Sequence, residues 1–125
     1  MLTGKRLIIV EPEALIALDM QRIVEEAGAI VVAAVAGPHL LPSGDASERE
    51  PIDLVLYAPT RDHQVEAADS LWTATSPQAA LVLCTADPIL AAAAPEGTII
   101  VAKPFRDADV VAACVAALSR SASTS

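Results

Sequence analysis

Short unbroken apolar runs alternate along this chain with longer segments in which apolar residues recur every three or four positions. Apolar runs of four to eight residues, closed by Gly, Pro or acidic residues, are typical of strands buried on both faces of a parallel sheet. The runs predict strands at 7–10, 29–36, 52–58, 79–84 and 98–102.

The segments that follow the strands predict helices. In the first, Ile16, Met20, Ile23, Val24 and Ala27 form one apolar stripe, and Gly28 is a plausible left-handed stop. Further helices are predicted at 60–74, 88–94, with Asp87 as the cap, and from 107 to 118. Segment 39–50 contains Pro42 and Gly44, so a helix there is expected to be short or irregular. Five βα units indicate an α/β fold with helices on both faces of a parallel sheet.

Composition and charge narrow the class of protein. A hydrophobic fraction of 54% in 125 residues suits one domain, expected at 1–118, and the small polar residues of 119–125 predict a disordered tail. The net charge of −8 and the lack of a Lys/Arg run argue against a nucleic-acid or anionic membrane surface. The apolar runs are too short for a secretory signal or a membrane span, so a cytoplasmic protein is expected. Cys84 and Cys114 lie in apolar segments and are expected to be buried free thiols.

Residues with chemical potential follow four of the strands. In a parallel doubly wound sheet, the functional surface lies at the carboxyl ends of the strands. The groups there are Glu11-Pro12-Glu13, Ala58-Pro59-Thr60, Thr85-Ala86-Asp87 and Lys103-Pro104-Phe105. The fold is therefore expected to bring four distant parts of the sequence together.

In these groups, and along nearly its whole length, the chain resembles the receiver domain of bacterial response regulators, the CheY-like family. The family's first strand precedes two acidic residues, its third ends in the phospho-accepting Asp, its fourth in Thr or Ser then Ala, and its fifth in Lys-Pro-Phe. The chain matches these motifs at 7–13, 53–58, 85–86 and 103–105. The resemblance implies a flavodoxin-like sheet with strand order 2-1-3-4-5 and a non-enzymatic role in two-component phosphorelay signalling.

The chain departs from the family where the chemistry takes place. Ala58 stands at the acceptor position and offers no nucleophile for phosphoryl transfer. Pro12 replaces an acidic residue, which leaves Glu11 as the single carboxylate of the motif. Because Mg²⁺ needs several oxygen ligands, a weak magnesium site at Glu11 is the most that we expect, and no cofactor is predicted.

The resemblance thus implies a vestigial phosphorylation pocket. Its residues are Glu11, Pro12, Ala58, Thr85, Lys103 and Pro104. An unpaired buried ammonium would be costly, so we expect Lys103 to pair with Glu11 and fill the pocket. Alternatively, Lys103 is a surface lysine, Thr85 is only a helix-entry residue, and Glu11 and Glu13 are solvated acids of a first helical turn.

The switch and output positions are also altered. The resemblance places Asp87 at the switch position after the fourth strand and Ile100 where the family has an aromatic switch residue. An isoleucine has no polar tip that could move between buried and exposed states. The family's dimer and output face would here comprise the last two strand–helix units, with Ala91–Ala94, Ile99–Val101 and the helix at 110–118.

Two functions of different classes follow. The first is a stand-alone degenerate receiver that acts by phosphorylation-independent contact with a histidine kinase, a phosphotransfer protein or another receiver, with a possible homodimer. The second is a residual phospho-accepting receiver that uses a non-standard acid, Asp62, Glu11 or Glu13, although Asp62 is more simply a first-turn acid of a helix. A flavin-binding domain is disfavoured, because Glu11-Pro12-Glu13 repels phosphate and aromatic residues make up only 2% of the chain.

Overall fold

The computed structural model describes residues 2–37, 51–59, 79–94 and 98–123. The strands are β1 (Arg6–Val10), β2 (Ile30–Val35), β3 (Leu54–Tyr57), β4 (Ala80–Thr85) and β5 (Ile99–Ala102). The helices within the described residues are α1 (Ala14–Glu26), α2 (Pro88–Ala93) and α3 (Asp107–Ser123). The helices predicted at 39–50 and 60–74 lie outside the described residues.

The five strands form one parallel sheet with the order β2-β1-β3-β4-β5. In its register, Ile8 of β1 lies beside Val55 of β3, which in turn lies beside Leu81 of β4. The parallel flavodoxin-like sheet and its strand order are therefore as predicted. The sheet has β2 at one edge and β5 at the other, so β1, β3 and β4 are paired on both sides.

Successive side chains of a strand point to opposite faces of the sheet, and each face carries its own core. One core packs α1 and α3 on the sheet, and its members include Leu7, Ile9, Met20, Val24, Leu56, Val82, Cys84, Val110 and Cys114. The opposite core includes Ile8, Val10, Val55, Tyr57 and Leu83, with Ala94 packed against them. The inner strands β1, β3 and β4 are thus apolar on both faces because both of their faces are buried, whereas the edge strand β2 has alternate residues exposed.

The ends of α1 and α2 follow local sequence signals. Gly28 ends the turn after α1 with a φ of 102°, and a Cβ there would lie 2.8 Å from Thr3 Oγ1, so only glycine fits. At the start of α2, the Asp87 carboxylate accepts a 2.9 Å hydrogen bond from the Ile89 N–H, and Pro88 occupies the first turn. Both the predicted stop at Gly28 and the predicted cap at Asp87 are confirmed.

The last helix is longer than the sequence predicted. We expected it to end at Leu118 before a polar tail, but α3 continues to Ser123. Ala and Arg favour helix and Ser tolerates it, so the small polar residues after 118 do not force an end. Among the described residues, no helix has both the length and the apolar character needed to cross a membrane.

Candidate functional site at the carboxyl end of the sheet

The register of the sheet brings the ends of four strands together. Val10 pairs with Tyr57, and the next residue, Ala58, donates its backbone N–H to the Val10 carbonyl at 2.8 Å. On the other side, Thr85 pairs with Ala102. The N–H of the following Lys103 donates to the Thr85 carbonyl at 3.2 Å. The residues that follow β1, β3 and β5 therefore lie at the carboxyl end of the sheet, together with Thr85 at the end of β4.

An ion pair spans this edge. Lys103 Nζ donates to Glu11 Oε1, which confirms the pairing predicted from the sequence. The Glu11 side chain is 0% exposed and that of Lys103 is 21% exposed, so the carboxylate is fully inside the protein and the ammonium is close to its surface. Because β3 and β4 lie between β1 and β5, this pair links the carboxyl ends of β1 and β5 across the two strands between them, one of which leads to Ala58.

Further hydrogen bonds fix Glu11 in place. Its backbone N–H donates to the Val35 carbonyl of β2 at 2.9 Å, which extends the sheet by one residue beyond β1. Its second carboxylate oxygen accepts the Glu13 backbone N–H at 3.3 Å. Glu13 itself is exposed just before α1. The alternative of a solvated acid therefore describes Glu13 but is wrong for Glu11.

The middle of the site is apolar. Ala58 is buried at the end of β3 and offers a methyl group where the resemblance places the phospho-acceptor. Pro12 is exposed and carries no ligand atom in its side chain. Within the ranges that the structure describes, no three His, Cys, Asp or Glu side chains are grouped so that they could hold a metal ion. Of the three positions Glu11, Pro12 and Ala58, only Glu11 has a carboxylate, and that carboxylate is already paired with an ammonium.

Thr85 contributes to both the site and the start of α2. The residue is buried, and its hydroxyl oxygen accepts the Asp87 backbone N–H at 3.0 Å. Asp87 then caps α2 through Ile89. The helix-entry role weighed for Thr85 is therefore real, and it fixes the loop that leads from the sheet edge into α2. The loop after β5 contains a cis peptide bond between Lys103 and Pro104, and Pro104 is exposed.

Two thiols lie behind the site. Cys84 and Cys114 are free and buried, as predicted, and share the core beneath α3. Burial raises the pKa of each thiol to about 12. For Cys84 the nearby Cys114 and Glu11 raise the pKa further, and Lys103 lowers it. Neither thiol is a nucleophile at neutral pH, because the reactive form is the thiolate.

The sequence did not predict a cluster of charged residues that joins α1 to the start of α3. Arg22 of α1 donates to Asp19 at 2.7 Å, to Glu26 at 3.1 Å and, with two nitrogens, to both oxygens of Asp107 at 3.1 Å. These bonds raise the pKa of Arg22 and lower that of Asp107. The spacing of Asp19 and Glu26 from Arg22 is visible in the sequence, but the contact with the start of α3 depends on the fold.

The solved structures most similar to this one include response regulator proteins. One is the response regulator PhyR from Brucella abortus, with 29% identity and a TM-score of 0.71, where the match covers 98% of this chain and 51% of that one. A response regulator receiver protein from Sinorhizobium medicae has 19% identity and a TM-score of 0.74, with 97% and 99% covered. The REC domain of Erythrobacter litoralis PhyR has 24% identity and a TM-score of 0.72, with 94% and 92% covered.

These comparisons establish the fold. The chain spans about half the length of the Brucella PhyR protein and nearly all of the single receiver domains. No family model matches the chain, and no curated protein matches it. The structural neighbours of this chain are response regulator receiver domains, and its sheet order and flanking helices are those of the CheY-like flavodoxin fold.

Proposed function

We propose that this chain, which has the fold of a response regulator receiver domain, acts in two-component signalling by binding another protein and is not itself phosphorylated. The observation that carries the proposal is the closed site, in which Lys103 and Glu11 pair beside the buried methyl group of Ala58. We propose that residues 1–118 form the receiver domain, with the last helix continuing past this boundary to Ser123, and expect the domain to be cytoplasmic and without enzymatic activity.

The acceptor position supports this proposal first. Transfer of a phosphoryl group from a donor requires a nucleophile that is placed in line with the phosphorus atom. Ala58 follows β3 in the middle of the sheet, at the position that the resemblance gives to the acceptor. A methyl group cannot form a bond to phosphorus, so the reaction has no starting point at this position.

The chemistry of cation binding supports it as well. Mg²⁺ takes six ligands in an octahedron and is held in proteins by one or more carboxylates. One oxygen of Glu11 accepts from Lys103 and the other from the Glu13 N–H. A cation at this point would have to displace an ammonium, with Pro12 unable to help. Within the part of the chain that the structure describes, the residues around Glu11 therefore do not fit a magnesium site.

The partners are proposed from the resemblance. We propose that the chain contacts a histidine kinase, a phosphotransfer protein or another receiver. Homodimer formation through α2, β5 and α3 is a further possibility, since Ile89 is 63% exposed and Ile100 is 39% exposed on these elements. Asp87 and Ile100 occupy the two switch positions. Asp87 is engaged in capping α2, and an isoleucine cannot relay a polar signal.

The test is chemical. The protein is incubated with acetyl phosphate and Mg²⁺, its intact mass is recorded, and a receiver that has the acceptor aspartate is treated in parallel as the positive control. We expect the control to gain a phosphoryl group and this chain to keep its mass. A gain that is reversed by hydroxylamine would contradict the proposal and favour phosphorylation on Glu11, Glu13 or Asp62, the last of which lies outside the described residues.

A further inference from the structure

The edge strand β2 carries none of the residues that usually protect an edge from pairing. Among the residues that the structure describes, β1 is its one neighbouring strand, so its other side is open to a further strand. All the residues of Ile30–Val35 are apolar, with no charged residue or proline among them. Natural proteins usually place lysine, proline or other charges on such an edge, because an open edge pairs readily with another strand. The opposite edge strand, β5, is followed by Lys103 and Pro104.

The backbone bonds of β2 identify the groups that face away from β1. The Val35 carbonyl accepts the Glu11 N–H at 2.9 Å, so the backbone groups of Val35 face β1. The backbone groups of successive residues in a strand point alternately to its two sides, so those of Ala34 point outward. The same alternation gives outward backbone groups to Val32 and Ala36. These are the donors and acceptors that a further strand would bond.

The side chains at the same three positions are exposed and uncharged. Val32 is 44% exposed, and Ala34 and Ala36 are exposed as well. The intervening Ala33 and Val35 pack against the core on the sheet face opposite α1. Segment 28–37 contains no charged residue, although the chain as a whole carries −8. A second acidic copy of the chain therefore meets no like charge along this strand.

A bulge determines which part of β2 is regular. The pairing of β2 with β1 shifts at Val32, which has no partner residue in β1. A bulge disrupts the ladder locally, so the regular part of the edge begins at Val32. From there it continues to Ala36, and Ala34 lies at its centre. The exposed positions are thus arranged symmetrically about Ala34.

We propose that β2 pairs antiparallel with β2 of a second copy of the chain, about a two-fold axis at Ala34. Ala34 then lies opposite its own equivalent and exchanges two backbone hydrogen bonds with it, and Val32 lies opposite Ala36. Every cross-strand pair is apolar, so no like charges are placed opposite each other. A second copy is favoured over a foreign strand because the edge is complementary to itself. A two-fold pair uses the same surface on both copies and is closed.

The pairing goes beyond the proposed function, because it does not depend on the site at the carboxyl end of the sheet. Five paired residues span only about 17 Å, so the contact is small and the dimer is expected to be weak. The remaining surfaces of two acidic copies repel each other. Added salt should therefore strengthen the dimer, since it screens that repulsion.

The experiment traps the dimer with single cysteines in the full chain. In an antiparallel hydrogen-bonded pair the Cα atoms are about 5.5 Å apart, which suits a disulfide. The test variant is Ala34→Cys, and the matched control is Ile100→Cys, at a half-exposed position of the other edge strand. Val32→Cys and Ala36→Cys are treated separately and as a mixture. Each protein is oxidised mildly with diamide, and the product of twice the chain mass is quantified. The native Cys84 and Cys114 are buried, and the wild type treated in parallel verifies that they do not join two chains.

We expect Ala34→Cys to form the dimer readily and Ile100→Cys to form little. Val32→Cys and Ala36→Cys should each form little alone and should join each other in the mixture. Without oxidation, sedimentation of the wild type should show a dimer that grows with protein and salt concentration, and Ala34→Lys should lose it. Because the exchanged side chains are exposed, the variants should fold, which thermal unfolding followed by circular dichroism verifies.

Three outcomes would overturn the pairing. They are a wild type that stays monomeric while Ala34→Cys forms no dimer, equal dimer formation by Ala34→Cys and Ile100→Cys, and ready dimer formation by Val32→Cys alone. The second would indicate random collision or a different interface, and the third a different register. None of these outcomes changes the mass after acetyl phosphate treatment, so a failure here is distinguishable from a failure of the proposed function.

Discussion

Replacing Lys103 with methionine removes one charge of the buried ion pair and keeps most of the side-chain length. Glu11, whose side chain is 0% exposed, would then be a carboxylate inside the protein without a cation. Removing one partner of a buried pair typically costs about 3–5 kcal/mol. The Lys103 side chain is 21% exposed, so water already weakens the pair and the cost should fall towards the lower part of this range. We therefore expect Lys103→Met to lower the free energy of unfolding by about 2–4 kcal/mol.

Removing the charge of Glu11, instead of that of Lys103, should lower the free energy of unfolding by a smaller amount. With Glu11→Gln, the ammonium of Lys103 is left without its carboxylate, but its side chain is 21% exposed and water can solvate it. The double variant removes both charges, so it should be more stable than the sum of the single effects predicts. We expect a coupling energy of about 1–3 kcal/mol from the double-mutant cycle. Urea unfolding followed by far-UV circular dichroism measures all four proteins.

Lys5→Met is the matched control for this cycle. Lys5 is exposed, and substitutions of this kind change stability by no more than about 0.5 kcal/mol. If Lys103→Met behaves like the control, and if the coupling energy with Glu11→Gln is below about 0.5 kcal/mol, then the pair is an ordinary surface contact. That result would remove the closed site from which the proposed function is argued.

Three other changes test separate parts of the structure. The Ala58→Asp variant alone should gain little phosphate when it is treated with acetyl phosphate and Mg²⁺. The double variant Ala58→Asp, Pro12→Asp should gain a hydroxylamine-labile phosphate, which intact mass detects. No gain of mass in the double variant would refute the assignment of the pocket. The thiols of Cys84 and Cys114 have an ordinary pKa of 9.0, which burial in the folded protein raises to about 12. Their contribution to stability should therefore be full below pH 9 and fall towards pH 12, because the thiols ionise first in the unfolded chain. Urea unfolding at each pH measures this, and a profile that Cys→Ala changes leave unaltered would contradict it. The Arg22→Ala variant should have a slightly lower melting temperature than the wild type in low salt but not at about 0.5 M NaCl, because salt screens exposed ion pairs. A difference in melting temperature that persists in high salt would contradict this prediction.

The fold was predictable from sequence because its signals are local. Apolar runs such as Leu7–Val10 predict strands that are buried on both faces, and Gly28 indicates a backbone conformation with positive φ that other residues avoid. The end of α3 was not predictable in the same way. Ser and Arg are compatible with both helix and coil, so nothing in the residues after Leu118 decides where the helix ends.

The site was partly predictable for a different reason. Parallel strands end at one edge of a sheet, and a buried charge requires a partner, so Lys103 and Glu11 could be paired before the structure was known. Which of Glu11 and Glu13 is buried depends on the bond to β2, and the contact of Arg22 with Asp107 depends on how α1 packs against α3.

The hydrogen bonds of the site restrict how such a protein could be regulated. Lys103 and Thr85 stand at the positions that, by the resemblance to receiver domains, respond to a phosphoryl group when one is present. Lys103 is bonded to Glu11, and the Thr85 oxygen is bonded to the turn that starts α2. A ligand can shift a conformational equilibrium only if it binds the two states with different affinity, and Ala58 provides no place where a phosphoryl group could be bound covalently. The effect of this domain should therefore follow its concentration and the affinity of its partner, and a phosphoryl donor added to the complex should leave that affinity unchanged.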